Sequence, residues 1–87
     1  MPLIDILKRC RELAMESQDA LYSSSTVLEI LAILDRGIVS LECGGQLVGN
    51  ELKLLFAPTG DLQETSIANG WADEYLLLSA EFDRQIE

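Results

Sequence analysis

From residue 3 to residue 21, apolar or small side chains return at i, i+3 and i+4: Leu3, Ile6, Leu7, Cys10, Leu13, Ala14, Ser17 and Leu21. That spacing places them on one face of an α-helix, and Pro2 suits its first turn. The opposite face carries Asp5, Lys8, Arg9, Arg11, Glu12 and Glu16 and reads as solvated. Asp5 with Arg9, and Lys8 with Glu12, are four apart and positioned to pair along it. The period breaks at Tyr22-Ser23-Ser24-Ser25. Thr26-Val27-Leu28-Glu29 then fits a capping box, in which the threonine oxygen and the glutamate each serve backbone N–H groups left open at a helix start. The second helix runs through VLEILAILDR and is expected to stop at Gly37, a residue suited to a left-handed terminus. Only Glu29, Asp35 and Arg36 are polar in it, so it is either central to the domain or shared with another chain.

Residues 38 to 50, IVSLECGGQLVGN, admit two readings. A short hairpin over 38–48 turns at Gly44-Gly45, or the segment is an irregular connection whose Gly49-Asn50 caps a helix through ELKLLF. Pro58 disfavours helix at Ala57, and Thr59, Gly60 and Asp61 supply turn and cap chemistry for a new helix, LQETSIA. Asn69-Gly70 ends that helix and places Trp71 where a contact back onto it commonly forms. A last helix runs from about Ala72 to the end, with Trp71, Tyr75, Leu78, Phe82 and Ile86 in one stripe, widened by Leu76 and Ala80. Leu77 falls with Glu74, Glu81 and Arg84 on the polar side, an exposed leucine among acids. The fold expected is mainly α: one small domain over residues 1–87, of four or five short helices, with the hairpin as an α+β alternative.

Composition narrows the chemistry. With 48% hydrophobic and 24% charged residues the 87-residue chain has globular composition. Its longest apolar runs, VLEILAIL and YLLLSA, fall well short of the ~20 residues that span a bilayer. MPLIDILKRC lacks the order of a secretory signal, so a cytoplasmic location without membrane contact is expected. There is no histidine and no Cys-x-x-Cys. A zinc site therefore lacks its usual ligands, and a Cys-His nucleophile pair cannot form. Cys10 and Cys43 are expected as two buried or half-buried thiols with no disulfide between them. Asp61 with Glu64, and Asp73 with Glu74, lie at helix starts instead of a cleft that would separate their pKa values, and Asp61, Glu64 and Asp73 lack calcium-loop spacing. The glycines match no phosphate-binding fingerprint. No catalytic residue, metal or cofactor is assigned.

Fifteen acidic residues against six basic ones give a net charge of −9. By segment the balance is −1 over residues 1–20, −2 over 21–50 and −6 over 51–87. Such a field repels nucleic acid and attracts basic partners. The residues expected to meet a basic protein partner are Asp61, Glu64, Asp73, Glu74 and Leu77. The alternatives are a homodimeric or larger structural subunit joined through the second helix, and an acidic mimic of nucleic acid.

The segment LLFAPTGDLQETSIANGWADEYLLLSAEFD resembles small acidic bacterial proteins of unassigned function that share a P-T-G turn, L-Q-E, N-G-W and a terminal aromatic-leucine helix. Leu62, Gln63, Glu64 and Trp71 carry the likeness, which spans about residues 54 to 83. The resemblance implies an immunity- or antitoxin-type role, hence a non-enzymatic module that binds or inhibits a protein, and it brings no functional residues with it.

Overall fold

A computed structural model describes residues 2–20, 23, 25–45, 51–57 and 60–86. The first helix, α1 (Leu3–Met15), buries Ile6, Leu7, Cys10 and Ala14, the stripe its spacing predicts. It ends at Met15, six residues before the expected limit. Glu16 and Ser17 N–H groups donate back to Leu13 and Ala14 carbonyls, tightening the last turn, and the Ser17 hydroxyl caps the Leu13 carbonyl at 2.8 Å. Beyond it the chain is held by other elements. The Gln18 N–H donates to Asn69 Oδ1 and its carbonyl accepts from Asn69 Nδ2, both at 2.9 Å, while Asp19 Oδ1 accepts the Val27 N–H at 2.7 Å. A side chain that satisfies both backbone groups of Gln18 replaces the bonds a further helical turn would make. Leu21 lies outside the described residues.

The second helix, α2 (Val27–Glu42), begins with the expected capping box: Glu29 N–H donates to Thr26 Oγ1 at 3.2 Å, and Thr26 N–H to Glu29 Oε1 at 2.9 Å. It continues through Gly37, which is buried on the inward side with Ile30, Leu34 and Ile38. A glycine inside a helix costs only ~1 kcal/mol relative to alanine, and burial of Ile38 exceeds that. The left-handed terminus is Gly44, at φ 75°. Gly44 N–H donates to the Leu41 carbonyl at 3.1 Å and Gly45 N–H to the Ser40 carbonyl at 2.9 Å, the paired bonds of a Schellman motif. Residues 38–42 are therefore helix, and the hairpin reading fails for its first arm. Its second arm, 46–48, lies outside the described residues, among which there is no strand.

Two shorter helices follow. Helix α3 (Glu51–Leu55) buries Leu52 and Leu55 and leads into Phe56, whose ring stacks on Phe82 at a centroid distance of 4.0 Å and an interplanar angle of 6°. Helix α4 (Asp61–Asn69) starts at Gly60, with no side-chain cap in place of the one assigned to the Thr59–Asp61 stretch. A Cβ at Gly60 would stand 2.5 Å from the Leu54 carbonyl oxygen, so close backbone approach requires glycine there. Pro58 and Thr59 lie outside the described residues. Gly70, at φ 82°, ends α4 as expected, and the Trp71 N–H reaches back to the Ser66 carbonyl at 3.0 Å.

Helix α5 (Ala72–Ile86) buries Tyr75, Leu78 and Phe82, with Ile86 partly covered. Leu76 and Ala80 do not widen that stripe. Both are exposed, because at 100° per residue they point away from the arc of Tyr75, Leu78 and Phe82. One core joins all five helices, from Ile6 and Leu34 to Phe56, Leu62, Trp71 and Phe82. The mainly α expectation holds, and no described helix is long and apolar enough to cross a membrane.

Candidate protein-binding face

The turn Gly70-Trp71 aims α5 away from the end of α4. Trp71 is buried, its Nε1–H donates to the Ser17 hydroxyl at 2.9 Å, and its ring meets Tyr75 edge-on at 6.2 Å. Those contacts fix the rotation of α5 about its own axis. With Trp71, Tyr75, Leu78 and Phe82 inward, the outward arc consists of Asp73, Leu76, Leu77, Ala80, Asp83 and Arg84, all exposed. Leu76 is 61% and Leu77 72% exposed. Two adjacent leucines with Ala80 one turn on form an apolar strip, bounded by Asp73 at one end and Asp83 at the other.

The residues expected to meet a partner do not form one cluster. Asp61 and Glu64 lie in the first turn of α4, half-buried, and Asp73, Glu74 and Leu77 lie at the start of α5, which begins where α4 ends. The nine residues of α4 separate the two pairs by about 12 Å along its axis. Glu74 is committed to the fold: Arg9 donates Nε–H and Nη2–H to its two carboxylate oxygens at 2.5 and 2.9 Å. This bidentate bond holds the Glu74 carboxyl below the usual carboxylate range and raises the Arg9 guanidinium. Leu77 stands as expected, exposed among acids.

The polar face of α1 is exposed at Asp5, Lys8, Glu12 and Glu16, as expected, but its cations pair with other helices and not along α1. Arg9 reaches α5, Arg11 bonds Asp35 on α2 at 2.5 Å, and Lys8 approaches Glu42 at 3.9 Å. Together with Arg36 against Glu51 and Arg84 against Glu81, five cations lie beside acids. Arg9 and Arg36 thus carry two positive charges from the first half of the chain onto Glu74 and Glu51. The surplus of six negative charges over residues 51–87 falls locally to four.

Cys10 is fully buried, and burial pushes its thiol up to about 12, with Glu74 adding to the rise and Arg9 opposing it. Cys43 is exposed at the end of α2 and not buried or half-buried as expected, because it lies on the outward side of the helix terminus, and both cysteines are free thiols. No group of three or more Cys, Asp or Glu side chains among the described residues is arranged to hold a metal ion.

Sequence reasoning missed Leu76, Arg9 and Asn69. A stricter count of helical angle excludes Leu76 from the buried arc. The Arg9–Glu74 bond and the Asn69–Gln18 clamp join positions 65 and 51 apart in the chain, and no local spacing announces either. The chain matches no protein-family model, and comparison with curated proteins and with solved structures finds no match.

Proposed function

We propose that the protein is a non-enzymatic binding module of the immunity or inhibitor type, which presents the outer face of α5 to a basic protein partner. The observation that carries this reading is the pair Leu76 and Leu77, 61% and 72% exposed, on the same arc as Asp73 and Asp83. Apolar side chains at the centre of a contact with charge at its rim is the usual anatomy of a protein interface. Here the rim is acidic, so the complementary surface is basic. Asp73 and Leu77 sit within the contact. Asp61 and Glu64, at the far end of α4, contribute to the long-range field that steers encounter. Glu74 supports the face from behind, its charge already matched by Arg9.

The test is photo-crosslinking from position 77 in the native host, followed by binding kinetics on the purified partner. The reading expects a basic partner, dissociation accelerated at least ~10-fold by Leu77→Ser, and association slowed by salt and by Asp73→Asn with Asp83→Asn. An acidic or neutral partner, or association indifferent to salt, would overturn it.

A further inference from the structure

A second surface is built on a different element and stands independently of the α5 reading. The outward arc of α2 holds Leu28, Ala32, Val39 and Cys43, with Asp35 and Arg36 at its middle. Leu28 is 78% and Val39 57% exposed. The intervals of 4, 7 and 4 residues keep these four within a narrow arc of the helix, the geometry of a seam between two helices. We infer that α2 pairs with α2 of a second copy of this chain, side by side and in parallel, about a two-fold axis along the helices.

The charges at the centre of the seam select both the occupant and the direction. Asp35 and Arg36 are 100° apart, one on each flank of the arc. Asp35 leans to the side where Arg11 of α1 binds it, and Arg36 to the side where Glu51 of α3 binds it at 3.1 Å. A two-fold axis parallel to the helices brings each flank against the opposite flank of its partner. Asp35 then meets Arg36 of the second copy, and Arg36 meets its Asp35. Arg11, Asp35, and Arg36 and Glu51 of the second copy follow one another with alternating sign, twice over. An antiparallel pair centred on the same seam brings like flanks together, Asp35 against Asp35 and Arg36 against Arg36, which opposes association. Leu28, Ala32 and Val39 each pack on their own counterpart. A seam on one 16-residue helix, about 24 Å long, is near the lower limit of specific interfaces, so the dimer is weak and its population rises with protein concentration.

Sedimentation equilibrium over ~5 to 300 μM should therefore show the 9.6 kDa chain passing to twice that mass. Val39→Glu and Arg36→Glu should each raise the dissociation constant at least ~10-fold, with unchanged far-ultraviolet circular dichroism showing that the fold survives. Direction is read from Leu28→Cys with Cys43 retained, oxidised at the dimeric concentration and mapped by peptide mass. Position 28 joined to 28, and 43 to 43, is the parallel result, Cys10 being fully buried and out of reach. A single 9.6 kDa species at the highest concentration, a dimer undiminished by Val39→Glu, or a bond from 28 to 43 between copies would overturn the inference.

Discussion

Trp71 is the side chain on which the largest number of separate interactions converge: core burial, an edge-on contact with Tyr75, and a bond from Nε1 to Ser17. Trp71→Ala removes all three and should cost ~3 to 5 kcal/mol, read as a fall in the urea midpoint. Trp71→Phe keeps most of the apolar area and loses the polar bond, so its cost should be nearer ~1 to 2 kcal/mol. Cys10 imposes a pH limit of a different kind. Burial raises its thiol from 9.0 to about 12, so the core accepts only the protonated form. Stability is complete below about pH 9, where folded and unfolded chains both hold the proton, and declines as pH climbs towards 12, where the unfolded chain has released it. At about pH 10.5 the loss from this group is ~2 kcal/mol. Tyr75, raised by burial from 10.0 to about 12, adds to the same alkaline decline. Urea titrations at pH 7 and 10.5 should show it, and Cys10→Ala should reduce it to the part that Tyr75 contributes; equal midpoints at the two pH values would exclude a buried titrating thiol.

Helix ends show where local chemistry suffices and where it does not. The Thr26–Glu29 box and the Asn69-Gly70 stop are closed by atoms a few residues apart, and spacing alone locates both. The end of α1 is set by Asn69, which lies 51 residues from Gln18, and the end of α2, expected at Gly37, lies at Gly44, a choice that propensity does not make. Burial makes it: stopping at Gly37 would release Ile38 from the core. The same limit applies to the candidate face. Leu77 was readable from the angular position of its neighbours on α5, whereas the removal of Glu74 from the free acids required the fold that brings Arg9 to it. These origins separate two substitutions. Gly44→Ala forces a Cβ into the left-handed region at φ 75° and should cost ~1 to 2 kcal/mol, although nothing lies within 4 Å of that Cβ. Gly37→Ala keeps a helical backbone and gains ~1 kcal/mol of helix propensity, so the space available to a methyl group on the buried side of α2 decides the sign of its effect. A thermal midpoint unmoved by Gly44→Ala would show that the Schellman terminus contributes nothing to stability.

Across the domain, charge is distributed in two populations with opposite effects on stability. Among the described residues Glu74, Asp35, Glu42, Glu51 and Glu81 each face a cation, and all of these pairs but Arg84–Glu81 tie one helix to another. Asp73 and Asp83 stand exposed on α5 with the rest of the net charge of −9 at their backs. Self-repulsion of that surplus opposes the compact state, and salt screens it over a Debye length of about 10 Å at 0.1 M. The thermal midpoint should therefore rise between about 10 and 300 mM sodium chloride. Asp83→Asn relieves part of the repulsion and removes an acid from the last turn of α5, where the helix dipole disfavours it, so this variant should melt higher than the wild type at low salt and respond less to added salt. Glu74→Gln also removes one negative charge, yet it breaks a bidentate bond and leaves Arg9 half-exposed without its carboxylate, so it should melt lower. The opposite signs are the decisive readout, since net charge alone predicts the same direction for every acid. If Glu74→Gln stabilises as Asp83→Asn does, the Arg9–Glu74 bond is not formed in solution, and Glu74 rejoins the acids available to a partner.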